Sequence, residues 1–140
     1  MSEQKKKRIL VVDDEKVCIE IIRNTLSTDY DISATTDGKD ALEVAQELQP
    51  DLILLDVKMP VADGYTIISR LKKNDKTKDI PVIFLTSMTT VKDEEKGFNL
   101  GAADYIFKPF SGDLLLRRVE MNLKAREYDK LPADQKKNEN

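Results

Sequence analysis

The sequence predicts an α/β fold in which five strands alternate with five helices in a parallel sheet covered on both faces. Three observations carry that expectation. Residues 9–12, 52–55 and 82–85 are continuous apolar runs, the pattern of strands buried on both sides. Between them lie stretches whose apolar residues recur at spacings of three and four, the pattern of helices with one buried stripe. The connections are short, so right-handed crossovers place helices on both faces of the sheet.

Residues 1–7 form a basic flank, and the cluster from Lys5 to Arg8 reads as solvated rather than as a patch for an anionic partner. The first strand, 9–12, runs into Asp13 and Asp14. From about 15 to 27, Cys18, Ile19, Ile22 and Leu26 make the stripe of the first helix, and Cys18 is then a small core residue. Residues 31–35 form a weak second strand. Asp37 is the expected N-cap of a helix with Ala41, Leu42, Ala45 and Leu48 on one face, closed by Pro50.

The third strand, 51–56, ends on Asp56, and Asp63 caps a helix through about 73 with Ile67, Ile68 and Leu71 inward. The fourth strand, 81–85, is followed by Thr86. Thr90 and Asp93 resemble a capping box, and Gly101 is placed to end that fourth helix. It is poorly built, because Gly97 inside it costs about 1 kcal/mol relative to alanine and Val91, Phe98 and Leu100 are its substantial anchors. The fifth strand, 105–107, ends on Lys108 and Pro109. Ser111 caps a last helix to about 128, in which Leu115, Val119 and Leu123, with Leu116 alongside, are buried and Leu114 and Met121 face elsewhere. Residues 129–140 read as a polar tail or the start of a linker.

Composition narrows the chemistry. At 140 residues the chain is expected to be one domain, and a net charge of −3 gives no bulk attraction to nucleic acid. One cysteine excludes an internal disulfide. The absence of histidine excludes imidazole chemistry within the chain and requires any metal to be held by oxygen. No apolar run is long enough to span a bilayer and the first residues lack a secretion signal's apolar core, so no membrane association and a cytoplasmic location are expected.

Parallel strands bring their carboxyl ends to one edge, which is where open α/β sheets bind ligands. That edge collects Asp13 and Asp14, Asp56, Thr86 and Lys108. Crowded carboxylates repel unless a cation lies between them, and a site of oxygen donors suits Mg²⁺. A lysine and a hydroxyl facing that cation complete a place to hold a phosphoryl group, with Asp56 as its nucleophile.

The set Asp13 and Asp14, Asp56 with Met59, Pro60 and Gly64, Thr86 with Ser87, and Lys108 with Pro109 resembles, in type, order and spacing, the receiver domain of two-component response regulators. The likeness spans residues 8–128. It implies a flavodoxin-like three-layer (βα)5 sandwich with strand order 2-1-3-4-5, an order that the alternation alone does not dictate. It implies that Asp56 accepts a phosphoryl group from a phosphohistidine on a histidine kinase or histidine phosphotransfer protein.

By the same resemblance, Mg²⁺, for which Mn²⁺ substitutes, is ligated by Asp13 or Asp14, with Asp14 favoured for the closer contact, by Asp56 and by the main-chain carbonyl of Lys58. Lys108 pairs with Asp56 through a cis bond to Pro109. Thr86 moves toward the phosphoryl group and Tyr105 rotates inward behind it. Lys58 and Met88 stand where phosphoryl lifetime is tuned. Output passes through the fourth helix, fifth strand and fifth helix to a downstream protein or a covalently linked effector domain, with no direct nucleic-acid binding by this domain. A dimer through that face is allowed, but its ion-paired form is put in doubt by Leu114, where transcription-factor relatives carry an acid. The chain is thus expected to be a signalling switch that catalyses only its own phosphorylation and dephosphorylation.

Other classes fit less well. A phosphatase of the haloacid dehalogenase type needs Asp-x-Asp after its first strand. A nucleotide or flavin module needs a Gly-rich or Ser/Thr-rich phosphate loop there, and the sequence supplies Asp13, Asp14 and Glu15. A degenerate, interaction-only receiver would have lost an acid, the lysine or the hydroxyl, and all are present.

Overall fold

The strands are β1 (Arg8–Val12), β2 (Asp31–Thr35), β3 (Leu52–Asp56), β4 (Val82–Thr86) and β5 (Asp104–Phe107), all parallel, in the order β2-β1-β3-β4-β5. The structure is a computed structural model that describes residues 5–59, 63–87 and 91–136. Each strand is followed by a helix: α1 (Lys16–Leu26), α2 (Ala41–Leu48), α3 (Gly64–Lys73), α4 (Val91–Asn99) and α5 (Gly112–Asp129). This is the expected flavodoxin-like three-layer sandwich.

The alternation of side chains along each strand divides the interior into two layers. On one side Ile9, Val11, Leu52, Leu54, Ile83, Leu85 and Ile106 pack against α1 and α5 through Ile22, Leu26, Leu115 and Val119. On the other, Leu10, Val12, Ile53, Leu55, Val82, Phe84 and Tyr105 pack against α2 and α3 through Ala45, Ile68 and Leu71. Every residue of β3 and β4 is buried, which is why those segments are apolar without alternation. The edge strand β2 is half-buried, and its mixed sequence reads weakly for that reason.

Local signals are realised with small adjustments. Asp63 accepts from the Thr66 N–H at 2.8 Å and Ser111 from the Leu114 N–H at 3.1 Å, capping α3 and α5. Asp37 instead caps a single 3-10 turn, Gly38–Asp40, by accepting from the Lys39 N–H, and α2 begins only after it. Gln49, in the left-handed region at φ 50°, ends α2. Gly101, at φ 109°, closes the turn after α4 as expected. The capping box at Thr90, and the positions of Pro60 and Met88, lie outside the described residues.

The basic flank is exposed at Lys5, Lys6 and Arg8, and Lys7 is half-buried. The Lys7 ammonium lies 2.6 Å from Glu127 on α5, and the Lys7 carbonyl accepts from the Asp31 N–H. At the same edge, Arg126 of α5 donates to the carbonyls of Pro50 and Asp51, just ahead of β3. Among the described residues no helix is long and apolar enough to cross a membrane.

Candidate functional site

In-register pairing sets the ends of β1, β3 and β5 along one edge. Asp13 follows β1 and is fully buried; its Oδ1 accepts from the Glu15 N–H at 2.9 Å, which turns the chain into α1. Asp56 closes β3 and is also buried, and its Oδ1 accepts from the Lys58 N–H at 3.1 Å. Gly64 permits the close approach of α3 to this loop. A Cβ there would stand 2.7 Å from the Asp56 carbonyl oxygen and 2.8 Å from Val57 Cα, and the Gly64 N–H donates to the Val57 carbonyl.

Lys108 enters from β5. Its N–H donates to the Thr86 carbonyl at 2.8 Å, and its bond to Pro109 is cis. The ammonium lies 2.9 Å from Asp13 Oδ2, 3.0 Å from Glu15 Oε1 and 3.6 Å from Asp56 Oδ2. One cation therefore joins three acids.

The charges are strained by burial. Desolvation raises the Asp56 pKa to about 6, and the neighbouring Asp13 adds to the rise, against the opposing pull of the Lys58 N–H and the Lys108 ammonium. For Lys108, burial favours the neutral amine. Hydrogen bonds to Asp13 and Glu15, with the charges of Asp13 and Asp56, outweigh it and hold the lysine above its usual value. Burial beside Asp13 pushes the Cys18 thiol up to about 12, so it stays protonated and serves as packing.

The structure gathers Asp13, Asp56 and Lys108, and adds a residue that sequence reasoning missed. Carboxylate oxygens of Asp13, Glu15 and Asp56 lie within 4.8 Å of one another. Glu15 had read only as the opening of the first helix; the available signal was a third acid directly after a strand. Asp14 is exposed, as is the Lys58 side chain. Three carboxylates against one ammonium leave excess negative charge on oxygen donors, a set that fits a hard divalent cation such as Mg²⁺ or Mn²⁺.

Thr86 is buried at the end of β4. Tyr105, also buried, lies farther back in a file of rings. Its centroid is 5.4 Å from Phe84, 5.1 Å from Phe98 and 6.1 Å from Phe107; Tyr65 meets Phe84 at 5.6 Å, and Lys96 lies over the Tyr65 ring at 4.3 Å. Beside the acid cluster, Val17, Ile21, Pro109 and Phe110 line a mainly apolar groove of about 180 Å³ that also touches Glu15 and Lys108.

Residues 9–120 match the family model of the response regulator receiver domain. The chain is 38% identical over 133 residues to the DNA-binding dual master transcriptional regulator RpaA of Synechocystis sp., covering 94% of this chain and 54% of that protein. It is 46% identical over 115 residues to a probable cyclic di-GMP phosphodiesterase of Vibrio cholerae, covering 82% of this chain and 26% of that one. The chain thus spans about half or less of these curated relatives. Among solved structures, a putative response regulator from Chloroflexus aurantiacus superposes with a TM-score of 0.81 at 32% identity, covering 86% of this chain and 99% of the other. The Vibrio cholerae chemotaxis protein CheY4 gives 0.79 at 29% identity, covering 83% and 98%.

Proposed function

Because the chain belongs to the response regulator receiver domain family, we propose that Asp56 is its phosphoacceptor, charged by a phosphohistidine of a histidine kinase or histidine phosphotransfer protein. The observation that carries this reading is the Lys108 ammonium held among Asp13, Glu15 and Asp56 at the carboxyl ends of the strands. An Asp56 oxygen attacks phosphorus, the O–P bond forms as the donor's N–P bond breaks, and the imidazole departs on the donor.

Lys108 faces the oxygens on which charge gathers in that transfer, and Thr86 supplies a hydroxyl to the product. Asp13 or Asp14, with Asp56 and the main-chain carbonyl of Lys58, would hold Mg²⁺ or Mn²⁺, and Glu15 joins this set of donors. When bound, the ion neutralises phosphoryl oxygens and screens the carboxylates from one another. The exposed Val17 and Ile21, with Phe110, give a donor an apolar seat next to the acid cluster.

Phosphorylation adds about −1.5 to −2 charges at Asp56. The new charge draws on Lys108 and Thr86, and Tyr105 responds behind them, biasing the α4–β5–α5 face. That face signals to a downstream protein or a linked effector domain. The two relatives named above carry names for different outputs, DNA binding and phosphodiesterase activity, which supports an output that differs from protein to protein around a shared switch.

Incubation with acetyl phosphate and Mg²⁺, followed by intact-mass measurement, tests the assignment. The wild-type protein gains one phosphoryl mass and Asp56→Asn gains none. Equal labelling of that variant would refute Asp56 as acceptor.

A further inference from the structure

Gly97 lies within α4, where glycine is the weakest ordinary helix former short of proline, and yet it is buried. A Cβ built on Gly97 would overlap the Tyr105 hydroxyl outright and stand 2.6 Å from Tyr105 Cζ and 2.9 Å from Phe84 Cε2. The ring of Tyr105 therefore ends against the α4 backbone itself, with no side chain between them. The helix residues on either side of this contact belong to the same file of rings. Phe98 meets Tyr105 edge-on at 5.1 Å, and Lys96 covers Tyr65, which in turn meets Phe84.

The sheet register ties this contact to the strand ends. Phe84 pairs with Tyr105 and Thr86 with Phe107, and strand side chains alternate, so Phe84, Thr86, Tyr105 and Phe107 face the same side of the sheet. Thr86 therefore stands on the same side of the sheet as Tyr105, nearer the strand ends, and the far end of the Tyr105 ring meets α4 at Gly97.

We propose that Gly97 is the socket for Tyr105, a positioning residue that lets the ring lie inward and makes ring and α4 backbone move as one body. The proposal rests on the reading of Asp56 as phosphoacceptor and Tyr105 as the responding residue, and it explains why a helix-weakening residue stands where it does. Any side chain at position 97 must push either the ring outward or α4 off the sheet.

Paired substitutions test it, read by thermal melts and by binding of Mg²⁺ with beryllofluoride. Gly97→Ala lowers Tm in the otherwise wild-type chain, because the new Cβ meets the ring. In a Tyr105→Ala background the same substitution raises Tm, because Phe84, the remaining close neighbour, can shift its ring edge into the space the tyrosine leaves and alanine's better helix propensity then dominates. Tyr105→Phe gives an intermediate cost, since the hydroxyl is gone while Cζ stays. Should Gly97→Ala alone fail to fold, recovery of folding in the Gly97→Ala, Tyr105→Ala double variant supports the proposal and failure of that double variant overturns it.

The second readout is one that a packing defect alone would not move. Gly97→Ala weakens beryllofluoride binding by roughly 5-fold or more while Tyr105 is present and leaves it unchanged in the Tyr105→Ala background. An equal loss of Tm in both backgrounds, or an equal change in beryllofluoride affinity in both, overturns the socket. Acetyl phosphate labelling of the wild-type chain is scored separately: no label at Asp56 defeats the phosphoacceptor reading, whereas the sign of the Tm change still decides whether Gly97 accommodates the ring.

Discussion

At Asp56, burial outweighs pairing. The folded-state value of about 6 lies above the ordinary 3.8, so between those two pH values the folded chain holds a proton that the unfolded chain releases. Stability from this group therefore falls as pH rises through that window and is lowest above it. Asp56→Asn, which keeps an oxygen to accept from the Lys58 N–H, is expected to exceed wild type by about 1–3 kcal/mol at neutral pH in denaturant melts, with the difference vanishing below about pH 4. Added Mg²⁺ should narrow that gap by stabilising the wild type. Lys108→Met should act in the opposite sense, because it leaves Asp13, Glu15 and Asp56 without their shared cation. We expect a loss of about 3 kcal/mol in metal-free buffer, with Mg²⁺ restoring more stability to this variant than it adds to wild type. A Lys108→Met protein as stable as wild type without metal would show that the ammonium is not what balances these acids.

Among the described residues, the part of α4 from 95 to 99 is lightly anchored. Gly97 contributes no side chain to the core, Phe98 is 48% exposed and Leu100 is half-buried. By contrast, α1 and α5 each present a fully buried stripe. Amide exchange over residues 91–101 is expected to be faster than in either of those helices and to change with Mg²⁺ and beryllofluoride; identical protection with and without the phosphoryl mimic would remove α4 from the switch. The pattern of this helix in the sequence already announced its weakness, through a central glycine and sparse apolar positions. What the pattern could not carry is that the glycine meets a tyrosine from the next strand, because that contact crosses between elements. Glu15 escaped for a related reason: beside the start of a helix its acid has a local explanation, and only the fold sets it against Lys108. The carboxylate of Asp56 had no such alternative, following four buried apolar residues, and was legible from sequence.

For the molecule as a whole, alternation of strands and helices was written in the hydrophobic pattern, and strand order was not. Order depends on which crossovers turn back toward the first strand, a property of whole connections, and it became legible only through the family resemblance. The central position of β3 follows from its continuous burial, and the cost of loosening it is correspondingly large. Leu54 is completely buried in the α1 and α5 layer. Leu54→Ala is expected to destabilise the chain by about 2–5 kcal/mol in urea melts. A loss under about 1 kcal/mol would mean that this layer collapses easily around the cavity.

The division of the interior has a mechanical meaning. Tyr105 and its file of rings occupy one storey, while the packing of α1 and α5 occupies the other, with a sheet of hydrogen-bonded backbone as the floor between them. Side chains in one room can be rearranged with little disturbance to the furniture in the other, so a substitution beneath α1 and α5 is felt first in that half of the protein.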